Sequence, residues 1–389
     1  MQRQAHLPYG RQWIDEDDIA AVVDVLRSDW LTTGPRVAEF EQALASATGT
    51  AEAVAVSSGT AALHLAMLAL RIGSGDEVIV PALTFAASAN CVAYCGGTPV
   101  FADVDPDTLL LDPADAARRI TPRTKAIVAV DYAGQPCDYD ALRALADAHG
   151  LALVADACHS LGGADRGRPV GSLADLSCFS LHPVKHITTG EGGAITTGDE
   201  LLARRLRSLR NHGITTDHRE RAESGAWFYE MTELGFNYRL TDFQCALGQS
   251  QLRKIGGWIE RRQELARRYD AGVAALPGVR PLAMRPGVSH AYHLYVVRTA
   301  GRDAAFRALR DAGVGANVHY VPVHLHPFYR ERFGTGPGLC PVAEAAYAEI
   351  LSLPLFPQLA DASVDRVVEA LAAATAGVGA TAPATAEAA

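Results

Sequence analysis

The stretch Ala126-Ile127-Val128-Ala129-Val130, with Leu151-Ala152-Leu153-Val154-Ala155 after it, decides the fold of this chain. Both apolar runs have the length of a strand and lack polar alternation, which is typical of strands covered on both faces. A helical pattern, Tyr139–His149, separates the two runs. A strand, a helix and a second strand predict a parallel pair joined by a right-handed crossover.

The same pattern repeats along the first 200 residues, where helical segments such as Ala61–Leu70 separate most of the apolar runs. It predicts an α/β fold with a mostly parallel, seven-stranded sheet. The predicted strands are Ala53–Val56, Glu77–Val80, Pro99–Ala102, Ala126–Val130, Leu151–Ala155, Leu176–Ser180 and Gly193–Thr197.

Helices are predicted on both sides of this region. Residues 14–27 carry Ile14, Ile19, Val22, Val23 and Leu26 at helical spacing, with acidic residues that favour the helix N-terminus. After Arg239 the chain is helical from Asp242 to about Ala275, and Leu276-Pro277-Gly278 ends that pattern.

A smaller α+β unit follows the long helix. We therefore expect a large domain over residues 1–255, a small C-terminal domain over 256–375, and a low-complexity, disordered tail over 376–389. The small domain is predicted to contain strands His293–Val297 and Asn317–Tyr320 and helices Asp303–Ala312, Val342–Ile350 and Ala362–Ala374.

Composition excludes several classes of function. The formal net charge of −9 opposes binding to nucleic acid or to an anionic membrane. No stretch approaches the ~20 apolar residues of a membrane span, and Met1 to Gly10 lacks the apolar segment of a signal peptide. Seven cysteines without CxxC spacing are expected to be reduced thiols, as in the cytoplasm.

Ligands of an open α/β sheet bind beyond the carboxyl ends of its strands. The first strand ends in Ser57-Ser58-Gly59-Thr60 before a helix, where free N–H groups suit a phosphate, although a plain N-cap explains the same residues. Asp156 ends a buried strand and is either a capping or ion-paired carboxylate or the partner of a protonated ring nitrogen.

Lys185 lies in the loop Phe179 to Gly193, which has no other lysine, arginine or carboxylate until Glu191. A lysine that forms a Schiff base must lose its proton near neutrality, and a water-poor setting lowers its pKa. Ser180, five residues earlier, offers a hydroxyl to a phosphate. A surface lysine is the alternative interpretation, and composition alone leaves both open.

Taken in order, these motifs resemble the DegT/DnrJ/StrS family of sugar aminotransferases, from about Leu7 to about Ala374. The resemblance implies fold type I and pyridoxal 5′-phosphate (PLP) as cofactor. It rests on several motifs, namely Ser58-Gly59-Thr60, Asp156-Ala-Cys-His159, Ser180 to Lys185, Thr189-Gly190-Glu191-Gly192-Gly193 and Gly235-Phe-Asn237-Tyr-Arg239.

The resemblance also implies a role for each matching position. Lys185 would hold the cofactor covalently and move protons. Asp156 would pair with the pyridine nitrogen, His159 would face the ring hydroxyl, and Phe85 would stack on the ring. The phosphate would be held by Gly59, Thr60, Ser180 and, from the partner of a homodimer, Asn237.

Three segments resemble the pseudaminic-acid subgroup, the UDP-4-amino-4,6-dideoxy-N-acetyl-β-L-altrosamine transaminases. They are Ser28–Pro35, Val130–Pro136 and Ser180–Lys185. Members of the family usually take the amino group from glutamate. This similarity implies that the nucleotide sugar contacts Tyr9, Asp29, Trp30, Leu31, Thr32, Asn317, Val318, His319 and Tyr320, for which packing at a dimer interface is the alternative.

The sequence allows four other interpretations, three of which it disfavours. A dTDP- or GDP-linked keto sugar would use the same chemistry in a different pocket. A catalytically inactive homologue of the same fold is a further alternative. The presence of Lys185, Asp156 and Asn237 together argues against it. A nicotinamide enzyme is disfavoured because Ser57-Ser58-Gly59-Thr60 replaces GxGxxG after the first strand. A metal at His319, His324 and His326 is disfavoured because no carboxylate or cysteine lies at ligand spacing.

Overall fold

The computed structural model describes residues 6–216, 221 and 225–376. Apart from Ala376, the predicted disordered tail lies outside the described residues. Among the residues that the structure describes, no helix is long and apolar enough to cross a membrane. All seven cysteines are free thiols, five of them buried.

The large sheet has seven strands in the order β1-β9-β8-β5-β4-β2-β3. All seven predicted strands are present, within two residues of their predicted bounds. Only β9 runs antiparallel to its neighbours, β1 and β8. The seven strands are Glu52–Val56 (β1), Glu77–Pro81 (β2), Thr98–Ala102 (β3), Thr124–Val130 (β4), Ala152–Asp156 (β5), Leu176–Ser180 (β8) and Gly193–Thr197 (β9), with the short β6, Ala164–Asp165, and β7, Arg168–Pro169, after β5.

Helices cover this sheet, and several begin at side-chain caps. Ser58 accepts a hydrogen bond from the Ala61 amide at the start of α3, and Asp138 does the same for Ala141 at the start of α6. The helices up to residue 252 are Glu16–Leu26 (α1), Pro35–Thr48 (α2), Gly59–Ala69 (α3), Ala87–Tyr94 (α4), Pro113–Arg119 (α5), Tyr139–His149 (α6), Glu200–Arg210 (α7) and Asp242–Leu252 (α8), with a 3-10 turn at Tyr132–Gly134.

A second apolar core, which includes Leu265, Val297 and Leu351, forms around a three-stranded sheet in the C-terminal part of the chain. The predicted boundary at 255/256 coincides with the start of α9 and stays a prediction. This part contains α9 (Ile255–Val273), β10 (Val279–Pro281), β11 (Val288–Ser289), β12 (Tyr295–Thr299), α10 (Arg302–Asp311), a 3-10 turn at Val323–Leu325, α11 (Pro327–Phe333), α12 (Pro341–Glu349), β13 (Ile350–Leu353) and α13 (Asp361–Thr375).

The structure corrects two predicted elements here. The helix predicted from Asp242 to about Ala275 is two helices, because the chain leaves helical hydrogen bonding at Arg253 and Lys254. The strand predicted at Asn317–Tyr320 is absent, and only Asn317 pairs with Ser352 as an isolated bridge. The three-stranded sheet is completed by β10 and β13, which the sequence pattern did not indicate.

Helix α1 is present, but its predicted apolar face is not buried within the chain. Ile19 and Leu26 are 47% and 57% exposed, whereas Asp18 is fully buried. Asp18 accepts a hydrogen bond from Lys254 Nζ at 2.8 Å, so an ion pair holds α1 against the start of α9. The exposed apolar side chains of α1, Ile19 and Leu26, are available for a contact outside this chain.

Candidate active site

A cavity of about 320 Å³ opens at the carboxyl ends of β1, β5 and β8. This is where an open α/β sheet binds its ligands. Each of these strands contributes the polar residues that follow it, and two segments from elsewhere, near Tyr9 and Tyr320, close the cavity. The sequence-predicted residues that line it are Tyr9, Gly59, Thr60, Phe85, Asp156, His159, Ser180, Lys185, His319 and Tyr320.

The end of β1 forms an anion-binding cradle. Helix α3 begins directly after it, so the first-turn N–H groups of Gly59 and Thr60 have no partner within the helix. Gly59 packs so tightly that a Cβ there would lie 2.9 Å from Ser180 Cβ. Only glycine allows this approach, which places the Ser180 side chain beside the N-terminus of α3.

Asp156 is the last residue of β5 and is 6% exposed. Its Oδ2 accepts a 2.6 Å hydrogen bond from the Ser88 hydroxyl, and its Oδ1 accepts a 3.3 Å bond from the Cys158 amide. No arginine or lysine forms an ion pair with it among the described residues. The carboxylate is therefore held in place by neutral donors and is free to pair with a cation in the cavity.

Lys185 is one of only three lysines in the chain. Lys125 is exposed on β4, and Lys254 is ion-paired with Asp15 and Asp18. Lys185 lines the cavity and forms no ion pair within the described ranges 6–216, 221 and 225–376. Burial lowers the pKa of its amine, and this is only partly opposed by Cys158 and Asp156. It is therefore the one lysine placed to act as a nucleophile.

His159 is buried and uncharged. Burial lowers its pKa well below the usual range, and the positive charge of Lys185 lowers it further. Its Nε2 lies 3.2 Å from the Tyr320 hydroxyl, while its Nδ1 has no hydrogen-bond partner in the part of the chain that the structure describes. His293 packs against it with ring centroids 4.3 Å apart and also lines the cavity.

The residues predicted to bind the sugar separate into two groups. Tyr9, His319 and Tyr320 line the cavity, and burial lowers the pKa of His319 to about 4. Asn317 and Val318 do not line it, because Asn317 pairs with Ser352 and Val318 packs against the apolar core. The segment Asp29–Thr32 is exposed near the start of α8, where Leu31 accepts a hydrogen bond from the Asp242 amide.

Asn237 is likewise exposed and does not line the cavity of its own chain. Its neighbours Phe236 and Tyr238 both face inward, with each ring packing against His64. Since alternate residues of an extended segment point to opposite sides, Asn237 is presented outward.

All four arginines of α7 form ion pairs, and Arg204, which pairs with the exposed Glu200, is the most solvated of them. Arg207 and Arg210 form ion pairs with the buried Glu41, and Arg205 with Glu233. Among the described residues, no group of three His, Cys, Asp or Glu side chains is placed to hold a metal.

Sequence reasoning missed several residues of the site. Ser88 lies within α4 and binds Asp156, and His293 comes from the C-terminal part of the chain. Neither residue follows a strand of the large sheet, so the strand-end rule could not find them. Cys158, Thr84 and Glu191 also line the cavity and lie within one or two residues of a motif position.

The donor set fits PLP. A helix N-terminus with Ser180 suits its phosphate, Asp156 suits a protonated pyridine nitrogen, and the unpaired Nδ1 of His159 is available to a ring hydroxyl. The family model of the DegT/DnrJ/EryC1/StrS aminotransferases matches residues 12–372.

The chain belongs to this aminotransferase family. Spore coat polysaccharide biosynthesis protein SpsC of Bacillus subtilis is 42% identical over 380 residues, which cover 95% of this chain and 98% of SpsC. Spr1654 of Streptococcus pneumoniae, described as a sugar aminotransferase, is 34% identical in its PMP form, with a TM-score of 0.90 and coverage of 96% and 100%. It is also known in a PLP form.

A third relative is Helicobacter pylori PseC, an aminotransferase involved in the biosynthesis of pseudoaminic acid. It is 32% identical with a TM-score of 0.88, and the match covers 95% of this chain and 99% of PseC. These relatives confirm the predicted fold type I and the PLP cofactor. The chain is therefore a sugar aminotransferase that uses PLP.

Proposed function

We propose that this aminotransferase moves the amino group of glutamate to C4 of a UDP-linked 4-keto-6-deoxy-N-acetylhexosamine of the L-series. The proposal depends above all on Lys185, a depressed-pKa lysine in one cavity with Asp156 and His159. In the overall reaction, glutamate leaves as 2-oxoglutarate and the ketone of the sugar becomes an amine.

Each residue of the cofactor half has a proposed role. Lys185 holds the cofactor covalently and, once released, carries protons between it and the substrate. Asp156 keeps the pyridine nitrogen protonated, and the bound PLP then supplies an electron sink. Gly59, Thr60 and Ser180 hold the phosphate, and Phe85, exposed at the cavity, covers the ring.

The sugar assignment has two supports. The segments Ser28–Pro35, Val130–Pro136 and Ser180–Lys185 resemble the pseudaminic-acid subgroup, and PseC itself is a structural relative. Tyr9, His319 and Tyr320 supply aromatic faces and hydrogen-bonding groups at the cavity, which suit a sugar. Asn317, Val318 and Asp29–Thr32 belong to the proposed nucleotide-sugar site but lie away from this cavity within one chain.

We propose that the active form is a homodimer with shared sites. Asn237 and Asp29–Thr32 are exposed, so they reach a cavity only if it belongs to a partner. The segment before Asn237 also exposes large apolar side chains, among them Trp227 at 85% and Leu234 at 77%. Exposed apolar side chains of this size, here and on α1, are typical of surfaces that another chain covers.

A substrate panel tests the sugar. The PLP-loaded enzyme is given glutamate and one of four ketones, and release of 2-oxoglutarate is followed. They are UDP-2-acetamido-2,6-dideoxy-L-arabino-hexos-4-ulose, its D-xylo epimer, dTDP-4-keto-6-deoxyglucose and a GDP-linked 4-keto-6-deoxy sugar. A site built to bind a hydroxyl or acetamido group discriminates by roughly 10²–10⁵ in kcat/KM, so we expect the first sugar to be preferred by that order.

The outcomes separate the levels of the proposal. Preference for the dTDP or GDP sugar would overturn the sugar assignment and leave the transamination intact. Release of 2-oxoglutarate in the first half-reaction without turnover of any keto sugar would exclude all four ketones as acceptors.

A further inference from the structure

The hydrogen bond between Tyr320 and His159 has a consequence for the cofactor. The Tyr320 hydroxyl lies 3.2 Å from His159 Nε2 and makes no other hydrogen bond among the described residues. His159 is 6% exposed, and its second nitrogen, Nδ1, is buried with no hydrogen-bond partner within residues 6–216, 221 and 225–376. Among the described residues, the imidazole thus has one nitrogen that is hydrogen-bonded, Nε2, and one that is not, Nδ1.

A neutral imidazole carries one N–H, on either nitrogen. His159 is neutral, because burial and the charge of Lys185 keep its pKa well below the usual range. Burial also raises the pKa of Tyr320, so the phenol keeps its proton. If Nε2 carried the proton, the hydroxyl hydrogen of Tyr320 would have no acceptor among the described residues, and Nδ1 would be a bare acceptor.

The opposite arrangement satisfies both groups. Tyr320 then donates to Nε2, and Nδ1 carries the hydrogen. The ring oxygen of a bound pyridoxal is anionic and can only accept, so a donor is the group that suits it.

We infer that Tyr320 is a positioning residue that fixes His159 in the tautomer protonated on Nδ1, and so makes His159 a hydrogen-bond donor to the ring oxygen of PLP. This inference rests on the proposed role of His159. It assigns Tyr320 a second task beside its proposed contact with the sugar, and it links the two halves of the cavity through one hydroxyl.

The other groups around His159 do not set this tautomer. His293 packs against its ring at a tilt of 41°, and its own Nδ1 also has no hydrogen-bond partner among the described residues. His186 binds the Ala291 carbonyl through Nε2, and His319 binds Ser352 through Nδ1. Lys185 acts on His159 through its charge alone.

The test is a pH titration of the visible absorption of the PLP-loaded enzyme, without substrate. Loss of a donor leaves the ring oxygen more basic, so the bound chromophore keeps its proton to higher pH. Since one neutral hydrogen bond changes such an equilibrium by about tenfold, Tyr320→Phe is expected to raise the midpoint by about one pH unit. Tyr9→Phe is the matched control, because Tyr9 lines the same cavity without bonding His159.

A second pair of variants isolates the tautomer. In His159→Asn the amide N–H replaces Nδ1–H and needs no tautomer, so the midpoint should stay close to that of the parent enzyme. Adding Tyr320→Phe to His159→Asn should then cause no further rise. An equal rise in both backgrounds would overturn the inference, as would an unchanged midpoint in Tyr320→Phe alone.

If the proposed function itself is wrong, the experiments give a different set of results. If borohydride does not attach PLP to Lys185, or if His159→Phe leaves the midpoint unchanged, then the proposed cofactor site is wrong and the tautomer inference is wrong with it. If the chromophore forms on Lys185 and His159→Phe shifts it, only the role of Tyr320 is under test.

Discussion

The cofactor half and the sugar half of the cavity are built in different ways. Most of the residues proposed to hold PLP come from the carboxyl ends of β1, β5 and β8 and meet within one chain, with β9 between β1 and β8 in the sheet. The residues proposed to hold the sugar come from both ends of the chain, and some of them, such as Asp29–Thr32, lie outside this cavity. The strand order of a sheet brings the side chains at its strand ends together. The proposed sugar site depends instead on how segments that are distant in sequence pack against one another.

The largest expected effect is at Lys185. Lys185→Ala should abolish turnover and covalent cofactor, because loss of acid–base catalysis alone costs about 10²–10⁴-fold and covalent attachment is also lost. The protein should still fold, since Lys185 forms no ion pair within the described parts of the chain. Mass spectrometry after borohydride reduction checks it, and Lys125→Ala is the control. An adduct on Lys125 or Lys254, or normal turnover, would contradict the assignment.

The next effect is at Asp156. Asp156→Asn should still bind PLP but lose most activity, because a neutral amide cannot stabilise a protonated pyridine nitrogen. Loss of this charged hydrogen bond should raise the barrier by several kcal/mol, a rate loss on the order of 10²–10³. Ser88→Ala, which removes one donor to the same carboxylate, should cost less. Wild-type rates in Asp156→Asn would show that the carboxylate only supports the fold.

Subunit mixing compares the two halves directly. Lys185→Ala and Asn237→Ala are each expected to be inactive as homodimers. If Asn237 serves the partner's site, each hybrid dimer has one site with both lesions and one intact site, so activity should return to about half per hybrid. Hybrids of Lys185→Ala with Asp156→Asn are the control, because these residues line one cavity and no intact site forms. Recovery in neither mixture, with subunit exchange demonstrated, would mean that Asn237 serves its own chain.

The smallest expected effect is at Asp131, directly behind the cofactor half. Burial raises the pKa of this carboxyl to about 7, although Ser160, the Cys137 amide and Tyr139 all donate to it. Since the folded pKa is above the unfolded value near 4, its stabilising contribution is complete below about pH 4 and is lost as the pH rises to about 7.

The amide of Asp131→Asn does not titrate. As the pH rises from about 4 to about 7, the free energy of unfolding of the variant should therefore increase relative to that of the wild type, by at least about 1 kcal/mol. Denaturant unfolding at pH 4 and pH 8 measures the difference. A constant difference between the two proteins would mean that Asp131 ionises equally well in the folded and unfolded states.

The large sheet, and the position of several residues proposed to hold the cofactor, could be predicted from the sequence. All seven strands were predictable because doubly covered strands are continuous apolar runs, and Asp156, Ser180 and Lys185 end or follow two of them. Lys185, Asp156 and Ser180 could thus be placed at one edge before any contact was known. The helix of residues 14–27 was also predictable, but which of its faces is buried was not, since a local pattern does not say where its partner surface lies.

The tertiary structure alone decided the rest. The strand predicted at Asn317–Tyr320 does not form, because only Asn317 pairs with the edge strand β13 and the following residues bring His319 and Tyr320 to the cavity. Ser88 and His293 entered the site from elements distant in sequence. The hydrogen bond between Tyr320 and His159 joins residues 161 positions apart. Such contacts depend on how whole elements pack, and no periodicity or spacing along the chain encodes them.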